Sequence, residues 1–328
     1  MNRPFFSLSL LMALSIPAGH TSAEDDPRPD QKTANSSNDG VVDSFYQDVD
    51  IQRFPKFFVQ GVGINQQIRC RITSKFEVQR SDEDGKRTAK QVITDTKLIE
   101  ADPLSQAVFR QSLASMVGKT YFFEIDRFSK VISMKGHEDN VVAVDVQKPD
   151  SKGVLISNVI DEDGWKELAE LTLFQPPELS RSTRSRRSFV RKTEHDWGSL
   201  GSWYGKTTFT GRPHGRGAKR FAFQHELEYR IPAIGGDAGN MLPFEVSQAQ
   251  FKMYEGAGEI LYDTREKRVK QATEIFHARG MIAAKMLGMP STVTLDERQI
   301  FTITVTASKK LRLPESLRRD GNRTTDPP

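Results

Sequence analysis

The feature that most constrains this chain is a two-residue alternation of apolar and polar side chains, held over long stretches. Ile68, Cys70, Ile72, Phe76 and Val78 share one face of a segment whose other face carries Arg69, Arg71, Lys75 and Glu77. Phe221, Phe223, His225, Leu227, Tyr229 and Ile231 alternate with Ala222, Gln224, Glu226, Glu228 and Arg230. Phe301, Ile303, Val305 and Ala307 alternate with Thr302, Thr304 and Thr306. Successive side chains of a strand point to opposite faces, so this period specifies antiparallel sheet with one face buried. Polar clusters at residues 81–85 and at Thr264-Arg265-Glu266 predict hairpin turns. Phe244 and Val246 are out of phase by one residue with Ala249, Phe251 and Met253, which predicts a β-bulge near Ser247-Gln248.

Two helices interrupt the strands. Asp102 and Pro103 suit a helix start, Phe109, Leu113 and Met116 repeat at helical spacing, and Gly118 suits the left-handed residue after the last turn. These mark a helix at about 103–117. A second is expected over residues 164–174, begun at Asp161 or Asp163 and stopped by Pro176-Pro177. Its inner stripe is Trp165, Leu168 and Thr172. Two stretches, GKTYFFEIDRFSKVISMKG from Gly118 and GEILYDTREKRVKQATEIFHARG from Gly258, share a glycine, an aromatic strand ending in aspartate, a basic turn and a strand starting at valine. The pattern suggests two related β portions.

Residues 1–23 have the form of a secretory signal. Arg3 precedes a short apolar run from Phe5 to Ile16, and Thr21-Ser22-Ala23 offers a cleavage site near Ala23. The expected location is secreted or periplasmic, and after signal removal no apolar run is long enough for a transmembrane helix. Residues 24–50 are polar and read as a disordered spacer, and residues 314–328 as a disordered tail. Between them lie a first β portion (51–160), the second helix with an arginine-rich connector (161–204) and a second β portion (205–313). A single cysteine excludes a disulfide framework. Its place on the apolar face of a strand marks Cys70 as a buried, inert thiol.

Catalytic and cofactor signatures fail on spacing. Gly118-Lys119-Thr120 and Gly205-Lys206-Thr207 lack the earlier glycine of a phosphate loop, with Leu113 and Leu200 standing at that position. No two histidines lie at zinc-site spacing and no nucleophile elbow is present. The reading is therefore non-catalytic, with no cofactor and no metal. The strongest anomaly is charge: eleven basic residues between Arg181 and Arg220 face only Glu194 and Asp196, in a chain whose formal net charge is +4. Arg184, Arg186, Arg187, Arg191 and Lys192 are its candidate anion-binding residues. The competing expectation for residues 181–192 is a solvated loop.

The segment from Ser105 to Gly136, SQAVFRQSLASMVGKTYFFEIDRFSKVISMKG, resembles a group of uncharacterised secreted bacterial β-rich proteins carrying a domain of unknown function. Pro176-Pro177 followed by Trp197 is similar to their joining segment, whereas the long arginine-rich insertion departs from it. The strand-helix-strand order more distantly resembles the half-barrel of periplasmic lipoprotein carriers. That likeness implies a curved antiparallel sheet wrapped around helices and able to hold an apolar ligand. No functional residue carries over from either.

The fold expected is thus mainly β with a few helices (α+β), built from antiparallel curved sheets in two related, half-barrel-like portions. The function expected is that of an exported binding or envelope-associated protein. An apolar small molecule would lie on the concave face, lined by Phe123, Ile125, Phe223, His225, Leu227 and Tyr229. The alternatives are an interaction protein that binds acidic envelope polymers through Arg181–Arg220, and a hydrolase whose carboxylates meet only in space. Nucleic acid is not an expected partner of an exported protein.

Overall fold

The computed structural model describes residues 41–59, 61–79, 85–137, 159–177, 187–197, 200–231, 245–286 and 289–307. They all lie within one compact unit, residues 40–328. In chain order the elements are β1 (Val41–Val59), β2 (Val62–Asn65), β3 (Ile68–Gln79), β4 (Arg87–Ala101), α1 (Gln106–Met116), β5 (Thr120–Ile125) and β6 (Val131–Lys135). They continue with α2 (Glu162–Thr172), β7 (Arg187–Asp196), β8 (Ser202–Pro213), β9 (Ala218–Arg230), β10 (Glu245–Asp263), β11 (Arg268–Met286) and β12 (Met289–Thr306). One sheet of twelve strands runs in the order β6-β5-β4-β3-β1-β12-β11-β10-β9-β8-β7, with the short β2 paired to β1. Every pairing is antiparallel. The first and last strands meet in the middle, where β1 lies against β12 from Tyr46↔Thr306 to Val59↔Val293. The two open edges, β6 and β7, flank α2 in sequence.

The sheet curves because α2 touches both of those edges. Eleven strands laid flat would hold β6 and β7 about 48 Å apart at the usual spacing between strands. Yet Glu170 of α2 accepts the Val131 amide hydrogen of β6 (2.9 Å), and Asp163 accepts the Asp196 amide hydrogen of β7 (2.7 Å). One helix thus bridges the two edges and accepts a strand amide hydrogen from each. The sheet itself is not closed into a barrel. Around α2, Arg87 donates to the Leu173 carbonyl (3.4 Å) and the Gln175 amide donates to Ser129 Oγ (3.0 Å). Beneath it, Gln47 Nε2 donates to Thr172 Oγ1 (2.5 Å) and Gln91 Nε2 to Gln47 Oε1 (3.1 Å), a buried amide chain that fixes the helix's rotation on the sheet.

Several sequence expectations take a definite form. The second helix begins at its Asp161 cap, whose carboxylate accepts the Gly164 amide hydrogen (2.7 Å), and it buries Trp165, Leu168 and Thr172. The first starts later than expected: Asp102 accepts from the Leu104 and Ser105 amides in a turn, and the helix begins after Ser105. The bulge near Ser247-Gln248 is present as a register shift between Val246 and Gln248. A second shift, between Met253 and Glu255, was not signalled by the pattern and returns Gly256, Ile260 and Tyr262 to the inner face. Cys70 is buried, and burial pushes its thiol up to about 12.

Three expectations need correction. The spacer does not extend to residue 50: β1 begins at Val41, because Phe45, Gln47, Val49 and Ile51 continue the inward alternation through what composition alone reads as polar chain. The two β portions do not form sheets of their own, since β1 and β12 join them into one large antiparallel sheet. Their similar stretches are the hairpins β5–β6, at one edge, and β10–β11, in the interior. The arginine-rich connector is not wholly a loop, because Arg187–Asp196 forms the edge strand β7 against β8. Residues 1–40, Arg184 and Arg186 and the tail 314–328 lie outside the described residues.

Candidate functional site

The inner face divides into two apolar clusters with a polar belt between them. The larger cluster gathers Phe45, Ile51, Ile72, Phe76, Tyr121, Phe123, Ile125, Phe221, Phe223 and Phe301 beneath both helices. Phe174, just past α2, is the hub of its far end, with ring centroids 5.2–6.3 Å from Phe189, Phe209, Phe221 and Tyr262. The second cluster is built from Phe57, Trp203, Phe251, Ile282, Val293 and Leu295, with Trp197, Leu227, Tyr229 and Phe276 packed against it. No residue of either helix belongs to it. Trp197 stands at its centre, edge-on to Trp203, Phe251 and Phe276 at 5.3–5.9 Å.

The belt follows from strand register. Inward positions of β7, β8, β9, β11, β12 and β1 carry Thr193 and His195, Thr207, His225, Glu274, Glu297 and Gln299, and Arg53. Thr193 Oγ1 meets Thr207 Oγ1 (2.5 Å), Thr207 Oγ1 meets His225 Nδ1 (2.8 Å), and His225 Nε2 meets Glu274 Oε1 (2.7 Å). On the other side Arg53 Nε donates to Glu297 Oε1 (2.8 Å), Arg53 Nη1 to the Val159 carbonyl (3.1 Å), and Gln299 Nε2 to Glu297 (2.8 Å). The helix completes the belt from above. His195 Nδ1 lies 2.8 Å from Glu167 Oε1, and its Nε2 lies 3.6 Å from Asp161 Oδ2.

The electrostatics of the belt explain why these groups are tolerated inside. Burial disfavours charge on His195, but Glu167 and Asp161 outweigh it and hold its pKa well above 6.5, so the imidazolium persists at neutral pH. Burial pushes Asp161 up, yet His195, the Gly164 amide and Arg53 hold it down to about 2. His225 is likewise raised against its burial by Glu274. Glu167 is raised by burial despite His195. Among the described residues no group of three His, Cys, Asp or Glu is arranged to hold a metal ion.

Between the belt and the second cluster lies a cavity of about 30 Å³, lined by Glu167, Thr193, His195, Trp197, Trp203, His225, Leu227, Glu274, Phe276, Gln299 and Phe301. Glu167 and Glu274 reach it from helix and sheet, the meeting of carboxylates that a hydrolase would need. The space holds one small polar atom and no substrate chain. A larger groove of about 380 Å³ lies on the outer side of β3 to β6, beside Glu77, Lys90, Phe122, Glu124 and Lys135.

The expected ligand lining is dispersed by the fold. Phe123, Ile125 and Phe223 are core residues of the first cluster. His225 belongs to the belt, and Leu227 and Tyr229 to the second cluster, where Tyr229 donates to the Leu200 carbonyl (2.5 Å). The expected anion site loses Arg191: its guanidinium points inward, 4.9, 5.1 and 5.5 Å from the ring centres of Phe174, Phe209 and Phe189, and donates to the Gln175 carbonyl (3.3 Å). Of these rings Phe189 shares strand β7 with Arg191, but Phe209 on β8 and Phe174 beyond α2 could not be read from the local charge run. Lys192 is exposed on the outer face, and Arg187 starts β7 with its side chain outside the description. Of the belt residues only His225, on an apolar strand face, was signalled by the sequence; the others, Glu167, Glu274, His195 and Thr207 among them, sit in ordinary helical and strand contexts.

No family model matches the chain, and no curated protein matches it. Among solved structures the chain is similar to lipovitellin, described for its lipid–protein interactions, with a TM-score of 0.36 and 11% identity. That likeness covers 83% of this chain and 26% of lipovitellin, so the chain spans about a quarter of that protein's length. It is also similar to a DUF1329 family protein from Desulfovibrio piger, with a TM-score of 0.15 and 7% identity over 82% of this chain and 88% of that one. At these scores neither likeness bears on function.

Proposed function

We propose that the protein is an exported, non-catalytic binder of an apolar ligand, and that the second cluster of the inner face receives it. The observation that supports this reading is the division of that face. One cluster is filled by helices, whereas the other is a buried aromatic cluster to which neither helix contributes, next to a belt of polar groups. Ligand pockets combine a mainly apolar and aromatic wall with a few placed polar groups, which is the composition found here. On this reading the aromatic side chains around the cavity of about 30 Å³ part to admit a chain-like molecule. Association then draws on apolar area removed from water, about 25 cal/mol per Å².

The chain's three tryptophans make the test direct. Trp197 and Trp203 belong to the second cluster, while Trp165 packs on Tyr121 at 4.9 Å in the first. A dibrominated octadecane quenches indole fluorescence on contact. It is expected to quench Trp165→Phe saturably, through the two remaining tryptophans, and to spare the Trp197→Phe/Trp203→Phe double variant. Non-saturable quenching, or equal quenching of both, refutes the reading. Export is tested by the intact mass of the protein recovered from outside the cytoplasm, expected to lack residues 1–23; an uncleaved mass refutes it.

A further inference from the structure

The small cavity between belt and second cluster has donors without an acceptor. Trp203 is 1% exposed and its Nε1 has no hydrogen-bond partner. An indole N–H can only donate. His195 Nε2 is buried and has no partner within hydrogen-bond distance; Asp161 Oδ2 stands at 3.6 Å. A carboxylate faces each ring nitrogen, Glu167 at Nδ1 and Asp161 beyond Nε2, an arrangement that favours a hydrogen on both. Both residues line the same cavity. The other polar groups there satisfy one another: Thr193, Thr207, His225 and Glu274 form a continuous chain, and Gln299 donates to Glu297. Buried donors are nearly always paired in folded proteins, so two orphans on one cavity point to an acceptor that belongs there.

Charge and size narrow that acceptor. Glu167 and Glu274 line the cavity and Asp161 lies behind His195, while the cations facing them are His195, His225 and Arg53, the last paired to Glu297. A carboxylate or phosphate would add an anion beside two carboxylates. A neutral carbonyl oxygen accepts without that repulsion, and a space of about 30 Å³ admits one such atom, the apolar remainder entering only where Trp197, Leu227 and Phe276 part.

We propose that this cavity is a carbonyl-recognition site, and that the ligand is an apolar chain bearing a neutral ester or amide whose oxygen accepts from Trp203 Nε1 and His195 Nε2. The proposal rests on the binding reading above and deepens it.

The test uses the full mature chain and three probes: dibrominated octadecane, the methyl ester of dibrominated octadecanoic acid, and the free acid. Fluorescence quenching is expected to show the ester binding about five- to thirtyfold more tightly than the alkane, the range of one or two net hydrogen bonds, and more tightly than the acid at neutral pH. Trp203→Phe keeps an aromatic ring and leaves Trp165 and Trp197 as reporters. It is expected to bring ester and alkane to equal affinity, the ratio of the two being the readout whatever the loss of ring area does to both. In the unaltered protein, the ester carbonyl stretch is expected to move to lower wavenumber on binding, a readout independent of how the variant folds. Equal affinity of ester and alkane, tightest binding by the acid, a retained ester advantage in Trp203→Phe, or an unshifted carbonyl stretch each overturn the carbonyl site while leaving apolar binding in place. Failure of all three probes to quench saturably overturns the binding reading itself.

Discussion

Replacing Glu170 by glutamine should make the protein more stable at alkaline pH and leave it unchanged in acid. Glu170 sits on α2 with its Oε1 accepting the Val131 amide hydrogen of the edge strand β6 (2.9 Å). Burial raises its pKa from 4.5 to about 7, outweighing the opposing pull of the Val131 amide and of Arg191. Below pH 4.5 the carboxyl is neutral in the folded and unfolded chains alike. Between 4.5 and about 7 the unfolded chain has released its proton while the folded chain still holds it, so stability falls as pH rises, and the loss is complete above about 7. The gap is worth about 3 kcal/mol at about 1.4 kcal/mol per tenfold change in proton affinity. Partial solvent access reduces it to about 2 kcal/mol. Glutamine keeps the acceptor oxygen for Val131 and never ionises. Urea unfolding followed by tryptophan fluorescence should show Glu170→Gln stabilised by about 2 kcal/mol at about pH 8, with the difference shrinking to nothing near pH 4.5. A destabilised variant at alkaline pH, or a difference that does not change with pH, would show that the edge contact needs the charge and would refute the reasoning.

His195 acts in the same sense as Glu170, with stability falling as pH rises. Its folded pKa is raised above 6.5, so its hold on α2 is complete below that value and is lost as pH rises through the higher folded value; amide exchange over Trp165–Leu171 should speed up in alkali, and exchange indifferent to pH would rule this out. Arg191→Ala removes a guanidinium stacked among three phenylalanines and should cost about 2–4 kcal/mol in urea unfolding, while anion binding to the intact protein should not depend on it; a variant of unchanged stability would contradict that packing. Gly258→Ala places a Cβ 2.2 Å from both the Phe223 ring and the Thr273 carbonyl oxygen, and should destabilise by about 1–3 kcal/mol by the same measurement. Cys70, buried with its thiol pushed up to about 12, should react with a maleimide only in denaturant; rapid labelling of the native chain would place it elsewhere.

Strand identity was legible wherever the buried face is continuous, because a period of two is a local signal. Ile68–Gln79 reads correctly for that reason, and so does the bulge at Ser247-Gln248, since a single inserted residue leaves a visible change of phase. The start of β1 was hidden by its composition: inward Gln47 interrupts the apolar run, and its partners Gln91 and Thr172 lie 44 and 125 residues away. The union of the two portions was also invisible. Pairing of β1 with β12 joins the ends of the chain, and nothing in either strand names its neighbour.

The candidate site was illegible for a related physical reason. A charge run is read from adjacent residues, yet burial here is decided by side chains that adjacent residues do not supply. Arg191 follows Arg184, Arg186 and Arg187 in the sequence and shares their apparent role, but as an inward position of β7 it meets Phe174, Phe189 and Phe209 and becomes part of the core. His195, two inward positions further along the same strand, leaves that aromatic layer and meets Glu167 and Asp161 instead. Trp197, one inward position beyond, enters the second cluster. Two inward residues of one edge strand and the residue just past its end thus cross all three layers of the inner face. The belt therefore depends on the register of β7 against β8. A slip of one residue would turn Arg191, His195 and Trp197 outward together, separating α2 from the edge it closes.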